Sequence, residues 1–282
     1  MITSPLPATE TAAPRGPAPR LLILGGTGEA RLLAAELAAR GEVAFVLSLA
    51  GRTRAPLPQA GTVRTGGFGG AAGLTAYLRA QGIAAVIDAT HPFAARISAS
   101  AHAACAATGL PLLALRRPPW QRRAGDDWTE VASVAAAAEA LRQAAPQTVF
   151  LAIGRQEAGA FLAAPQHRYV VRSIDPVAPA DLPAGAVTIL DRGPFTEAGE
   201  RALFLRHGIE VLVTKNAGGS ATQAKTHAAR ALRLPVLMVS RPAVPDCPVA
   251  GDVAAAHAAI GQWLAAGVLR VHDTSPPTDR GE

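Results

Sequence analysis

Gly25-Gly26-Thr27-Gly28-Glu29-Ala30 follows directly on the apolar run Leu21-Leu22-Ile23-Leu24 and leads into a stretch rich in Ala and Leu, the pattern of strand, tight loop and helix. Glycine lets the backbone turn sharply and approach a ligand, and the unpaired amides at the start of the helix favour an anion. The pyrophosphate of a dinucleotide suits such a loop. The dinucleotide fingerprint is met only in part, because Gly26 and Gly28 fill its first two glycine positions and Arg31 stands where a third Gly or Ala is expected. Read alone, the loop could equally be a strand-to-helix turn with no ligand.

The next segment selects among ligands. Glu42 to Ser48 is a short apolar run of the buried parallel type, and an NAD-binding unit carries an acid near the end of that strand to bond the ribose 2′-hydroxyl. Here the chain reads Ser48-Leu49-Ala50-Gly51-Arg52-Thr53-Arg54, with no acid. A hydroxyl and guanidinium groups are the partners of a 2′-phosphate, so Ser48, Gly51 and Arg52 point to NADP(H). The competing reading of Arg52 and Arg54 is solvated loop charge.

In parallel sheets ligands sit beyond the C-terminal strand ends, and the residues there are suggestive throughout. Gly66 and Gly67, in Arg64-Thr65-Gly66-Gly67-Phe68-Gly69-Gly70, would let a loop pass close to the cofactor. Asp88-Ala89-Thr90-His91-Pro92-Phe93 gathers an acid, a hydroxyl and an imidazole; Thr90 is a cofactor contact in this reading, and Asp88 or His91 could relay a proton. An N-cap-like bond is the structural alternative for Asp88. Farther on, Arg155, Arg172, Lys215 with Asn216, and Lys225 place cations at or near strand ends, where they could bind an acidic substrate. Lys215 and Lys225 are the only lysines in a chain that otherwise uses Arg, which suggests a requirement that Arg would not meet.

These residues need a scaffold, and the apolar patterning supplies one. Strands expected near 21–24, 43–48, 62–65, 83–89 and 111–115 alternate with helices near 29–40, 71–81 and 93–108. A second round places strands near 148–153, 168–174, 187–191, 210–214 and 235–240 among helices near 133–144, 155–163, 196–207, 220–232 and 252–266. The expected fold is α/β: two Rossmann-like domains, each a mostly parallel sheet flanked by helices, with the active site in the cleft between them. The Pro- and Arg-rich stretch Arg116 to Asp127 separates them. The expected division is a tail over 1–19, an NADP(H)-binding domain over 20–126, a substrate-binding domain over 127–267, and a second tail over 268–282.

Composition narrows the function further. With 49% hydrophobic but only 4% aromatic residues, the cores must be built from Ala, Leu and Val. No apolar run approaches the roughly 18 to 20 residues of a membrane span, and the N-terminus lacks a secretory pattern, so a cytoplasmic location is expected. The net charge of +6 is spread over both halves without a nucleic-acid motif, which favours a small acidic ligand over nucleic acid. Cys105 and Cys247 belong to no ligand motif, His102 with Cys105 is a poor metal pair, and no metal is expected.

Taken together, Gly25-Gly26-Thr27-Gly28-Glu29, Ser48-Leu49-Ala50-Gly51-Arg52, Gly66-Gly67-Phe68-Gly69, Asp88-Ala89-Thr90-His91-Pro92-Phe93-Ala94, and Thr214-Lys215-Asn216 with Gly218-Gly219 and Lys225 resemble the precorrin-6A reductases of cobalamin biosynthesis over about residues 20–267. The resemblance implies a two-domain enzyme, a monomer or small homo-oligomer, that uses NADPH to reduce one double bond of a polyacidic tetrapyrrole, precorrin-6A, to give precorrin-6B. Other classes fit less well. A short-chain dehydrogenase needs Tyr followed four residues later by Lys, but Tyr77 is followed by Gln81 and Tyr169 by Ser173. Gly219-Ser220-Ala221-Thr222-Gln223-Ala224-Lys225-Thr226 differs from a P-loop by Ala224 where Gly is expected, leaving a nucleotide hydrolase or kinase as an alternative. A non-catalytic NADP(H) sensor is another, although a sensor has no need of a polyanion clamp.

Overall fold

The computed structural model describes residues 18–51 and 57–269; Arg52 and most of both expected tails lie outside the described residues. The first sheet is built around β1 (Arg20–Leu24). Side chains alternate across a strand, so Leu21 and Ile23 pack on one face with Leu33 and Leu37 of α1 (Gly28–Arg40). Leu22 and Leu24 pack on the other, with Leu74 and Leu78 of α2 (Gly70–Ala80) and Ala101 and Ala104 of α3 (Ala95–Thr108). Burial on both faces explains why the strand reads as a continuous apolar run.

Strands β2 (Ala44–Leu49), β3 (Thr62–Thr65), β4 (Ile83–Asp88), β5 (Leu112–Leu115) and β12 (Val249–Ala250) complete a parallel sheet of order β12-β5-β4-β1-β2-β3. The second sheet uses β6 (Trp128–Val131), β7 (Thr148–Ala152), β8 (Arg168–Ser173), β9 (Val187–Leu190), β10 (Val211–Lys215) and β11 (Val236–Val239), also all parallel, in the order β6-β11-β10-β7-β8-β9. Its faces are covered by α4 (Val134–Arg142) with a 3-10 stretch, Arg155–Ala163, and by α5 (Glu197–His207) with α6 (Ala224–Ala231). Five strands of each sheet are wired alike, and the sixth differs: β12 is the last strand of the chain, whereas β6 precedes the rest of its sheet. Each builds outward in one direction and then reverses, between β1 and β4 in one and between β7 and β10 in the other, and ligands bind at such switch points.

The α/β class and the paired parallel sheets match the sequence reading; three details do not. Residues 249–265, expected to close the second domain, belong to the first: β12 pairs with β5, and Ala256 and Ile260 of α7 (Val253–Ala265) join the core beside α1. The expected helix over 155–163 is a 3-10 stretch entered from Gly154 at φ 88° without a side-chain cap. Strand β6 is an addition, since the pattern of Trp128-Thr129-Glu130-Val131 is too short and polar to announce itself.

Aromatic residues pack across the join between the units. Phe93, in the loop after β4, packs against the core of the second sheet, and Trp120 of the connecting segment lies in the cluster on that sheet's other face. Among the described residues no helix is long and apolar enough to cross a membrane, and no group of three or more His, Cys, Asp or Glu could hold a metal ion.

Candidate active site between the two sheets

The loop after β1 is shaped for close approach. A Cβ on Gly25 would lie 2.7 Å from Leu47 Cδ1, and Gly26 takes φ 111°, so both glycines are required by the fold itself. Gly28 differs: its φ is unexceptional and a Cβ there would meet nothing within 4 Å. Neither packing nor backbone demands glycine at 28, whereas a ligand lying on the loop would. Thr27 caps α1, its Oγ1 accepting from the Ala30 amide at 3.1 Å and donating to Ala89 O at 2.8 Å. The hydroxyl thereby ties the loop to the end of β4. The tight helix-to-strand contact, assigned in the fingerprint to the third small residue, is made by the fully buried Ala30 against Gly25, which frees Arg31 from that position.

At the end of β2, Ser48 is buried and accepts a hydrogen bond from Arg64 at 3.1 Å. Gly51 has φ 72° and Gly66 φ 120°; Gly67, like Gly28, has open space where a Cβ would stand. These features fit a dinucleotide whose pyrophosphate lies at the start of α1 and whose adenosine runs toward β2 and β3.

The loop after β4 separates the two expected proton carriers. The Asp88 carboxylate is buried and accepts from Thr90 N (3.2 Å), Thr90 Oγ1 (2.6 Å), Ser98 Oγ (2.6 Å) and Arg116 (3.5 Å). So engaged, it shapes the loop, which weighs against a relay; nor does it cap the following helix, since α3 starts from Ala94 without a side-chain cap. Thr90 is held by the same carboxylate. His91 Nδ1 accepts from the Phe93 amide at 3.3 Å, leaving the proton of the neutral ring on Nε2. Its pKa is pushed down to about 3, first by burial and then by Arg117, Lys215, Arg241 and Lys225. At neutral pH His91 is therefore an uncharged hydrogen-bond donor and not an acid store.

The cations expected to grip substrate divide into two groups. Lys215 and the head of the 3-10 stretch, Arg155, stand at strand ends; Lys215 pairs with Glu157, and its Nζ lies 5.2 Å from the centre of the ring of Phe93 in the first unit. The others are internal. Arg172 is buried in an ion pair with Glu200 at 2.5 Å and lies over the Phe195 ring at 3.8 Å. Lys225 is buried, donating to Thr222 O at 2.7 Å and lying over the Trp120 ring at 4.6 Å, and burial pushes its pKa down to about 7. A lysine turned inward like this does not form a P-loop cradle. Asn216 brackets the backbone of Trp120, accepting from its N–H at 2.7 Å and donating to its carbonyl at 3.0 Å. Arg172, Lys225 and Asn216 thus fix the walls of the site.

Two further arginines take their place. Arg117 pairs with Glu29 at 2.7 Å and donates to the carbonyls of Ala217 and Gly218, each at 2.9 Å, so one side chain joins the start of α1 to the loop after β10. Arg241 donates to Asn216 O and Ala217 O at 3.0 Å, and its pKa is pushed down to about 10 by burial and then by Arg117 and Arg116. Both follow strands, β5 and β11, so inspecting every strand end would have found them. Arg117, Lys215, Arg241 and Lys225 all act on His91 as positive charges, which favours a polyanion nearby.

Comparison with known proteins agrees with this geometry. The profile of the precorrin-6x reductase CbiJ/CobK family matches residues 20–262. The chain is 52% identical over 247 residues to the precorrin-6A reductase of Rhodobacter capsulatus, an alignment covering 87% of this chain and 96% of the relative. It is 28% identical over 236 residues to the cobalt-precorrin-6A reductase of Priestia megaterium, covering 79% and 91%. A solved structure of CobK precorrin-6A reductase superposes with a TM-score of 0.81 at 50% identity, covering 86% of this chain and 96% of the other.

Proposed function

Because the chain belongs to the precorrin-6x reductase CbiJ/CobK family, we propose that it reduces precorrin-6A to precorrin-6B with NADPH, the first unit holding the cofactor and the second the macrocycle. The carrying observation is the convergence of the open glycine loop after β1 with the cationic strand ends of β5, β10 and β11 around His91. The higher identity to a precorrin-6A reductase than to a cobalt-precorrin-6A reductase supports the metal-free macrocycle as substrate.

NADPH supplies the hydride that reduces one ring double bond. The start of α1, with Gly26, Thr27 and Gly28, holds the pyrophosphate, while Ser48 and Arg52 favour the 2′-phosphate. Arg155, Lys215, Arg117 and Arg241 pair with acetate and propionate carboxylates and set the plane of the macrocycle, so positioning contributes most of the rate. His91 offers Nε2–H to a substrate oxygen or nitrogen. The proton that completes the reduction comes from solvent or from the substrate's own carboxylic acids, because His91 is uncharged and Asp88 is fully engaged. Incubating the protein with NADPH and precorrin-6A should deplete nicotinamide absorbance in step with the change in the pigment's spectrum; no depletion would overturn the reading. Arg52→Ala should remove most of the preference for NADPH over NADH in a fluorescence titration.

A further inference from the structure

We propose that Arg64 also grips the 2′-phosphate of NADPH and with Arg52 sets cofactor specificity, an inference that rests on the NADPH reading above. Register places it: Leu24 of β1 is opposite Ser48 of β2, and Ser48 is opposite Arg64 of β3. The three form one row at the C-terminal edge of the sheet, with the glycine loop at one end and Arg64 two strands away, at roughly 4.8 Å per strand. A dinucleotide lying with its pyrophosphate on the loop sends its adenosine ribose along this row.

The side chain is already fixed. Nη1 donates to Ser48 Oγ at 3.1 Å and to Gly66 O at 2.7 Å, and Nη2 donates to Gly67 O at 2.6 Å. The guanidinium lies over the Phe68 ring at 3.7 Å, with the Tyr77 ring centre at 5.2 Å. Of its five N–H groups these bonds use both on Nη1 and one on Nη2. Nε–H and one Nη2–H have no partner among the described residues. Two free N–H groups of a guanidinium can meet two oxygens of a phosphate.

Two further observations identify the anion. No Asp or Glu occurs between Glu42 and Asp88, and Arg64 forms no ion pair among the described residues, so the fixed cation has no internal counter-charge. Gly67, whose carbonyl holds the guanidinium, has open space above its Cα, leaving room for a bulky group beside the cation. A ribose hydroxyl needs none of this, since it calls for an acceptor and the segment offers donors.

The test is equilibrium binding of NADPH and NADH to the full chain and to Arg64→Gln and Arg64→Lys, with 2′-AMP and 5′-AMP as competitors. The expected result is that Arg64→Gln weakens NADPH and 2′-AMP by about tenfold or more while NADH and 5′-AMP change by less than about threefold. Arg64→Lys, which keeps the charge but loses the paired N–H groups, should recover only part of that loss. If Arg64→Gln weakens both cofactors equally, the arginine merely supports the Gly66-Gly67 loop and the proposal falls. If it leaves the preference intact, the proposal falls while the NADPH reading stands. A wild-type protein that does not distinguish NADPH from NADH would instead overturn the NADPH reading itself.

Discussion

Five strands of each sheet follow one order, yet the loop after the first of these strands is built differently in each. After β1 the chain passes through Gly25-Gly26 into α1, capped by Thr27 and ready to receive an anion on free amides. After β7, the equivalent strand, it passes through Gly154 into a 3-10 stretch with no side-chain cap. Topology alone therefore does not make a nucleotide site; the cap, the α-helical first turn and the small residues at 25, 28 and 30 do. The second sheet presents cations at its strand ends instead, and so suits a substrate bearing many carboxylates.

The largest effect expected from disturbing this division lies in the wall of the second unit. Arg172→Met should destabilise the protein by about 3–5 kcal/mol in urea unfolding, because it leaves Glu200 buried without its counter-charge. Arg172→Met combined with Glu200→Leu should recover much of that loss. Recovery of stability with unchanged affinity for the macrocycle would separate this arginine from the substrate clamp.

A matched pair of glycine changes sharpens the contrast. Gly25→Val forces a side chain into Leu47, an overpacking cost of about 2 kcal/mol of stability, and by displacing the loop should also weaken NADPH binding. Gly154→Ala, at φ 88° in open space, should cost about 1–2 kcal/mol of stability and leave NADPH binding unchanged. Equal effects on the cofactor would mean that both loops contact it. Lys215→Ala should weaken the macrocycle by about tenfold with NADPH affinity intact, as expected for one charge-assisted contact; the reverse pattern would move this lysine to the cofactor.

A further test is a pH dependence. Folded His91 titrates near 3 and the unfolded residue near 6.5, so between those values the unfolded state binds more protons. Its contribution to stability is complete above 6.5 and is lost as pH falls toward 3. His91→Gln should flatten the acid limb of unfolding stability over that window, and an unchanged limb would contradict the buried, neutral ring.

Much of the scaffold was legible because its signals are local. Leu21 to Leu24, Ile83 to Asp88 and Val211 to Lys215 are apolar runs ended by glycine or polar turns, and Thr27, Ser133 and Asp252 are N-caps visible as residue types. Strand β12 was not legible, since two residues carry no period and their partner β5 lies far away in sequence. The site was read by type and missed by environment. Arg172 and Lys225 look like ligand-binding cations until Glu200 and Trp120 are seen beside them, while Arg117 and Arg241 reach the site only through long-range contacts.

The return of β12 and α7 to the first sheet also bears on how the molecule is made. Synthesis from the N-terminus delivers β1 to β5 early, but Ala250, Ala256 and Ile260, which cover one face of that sheet, leave the ribosome only after the whole second sheet has emerged. The nascent first unit must wait with part of its apolar surface uncovered, whereas the second has all of its strands by β11 and can close first. The first unit, though encoded first, is completed last.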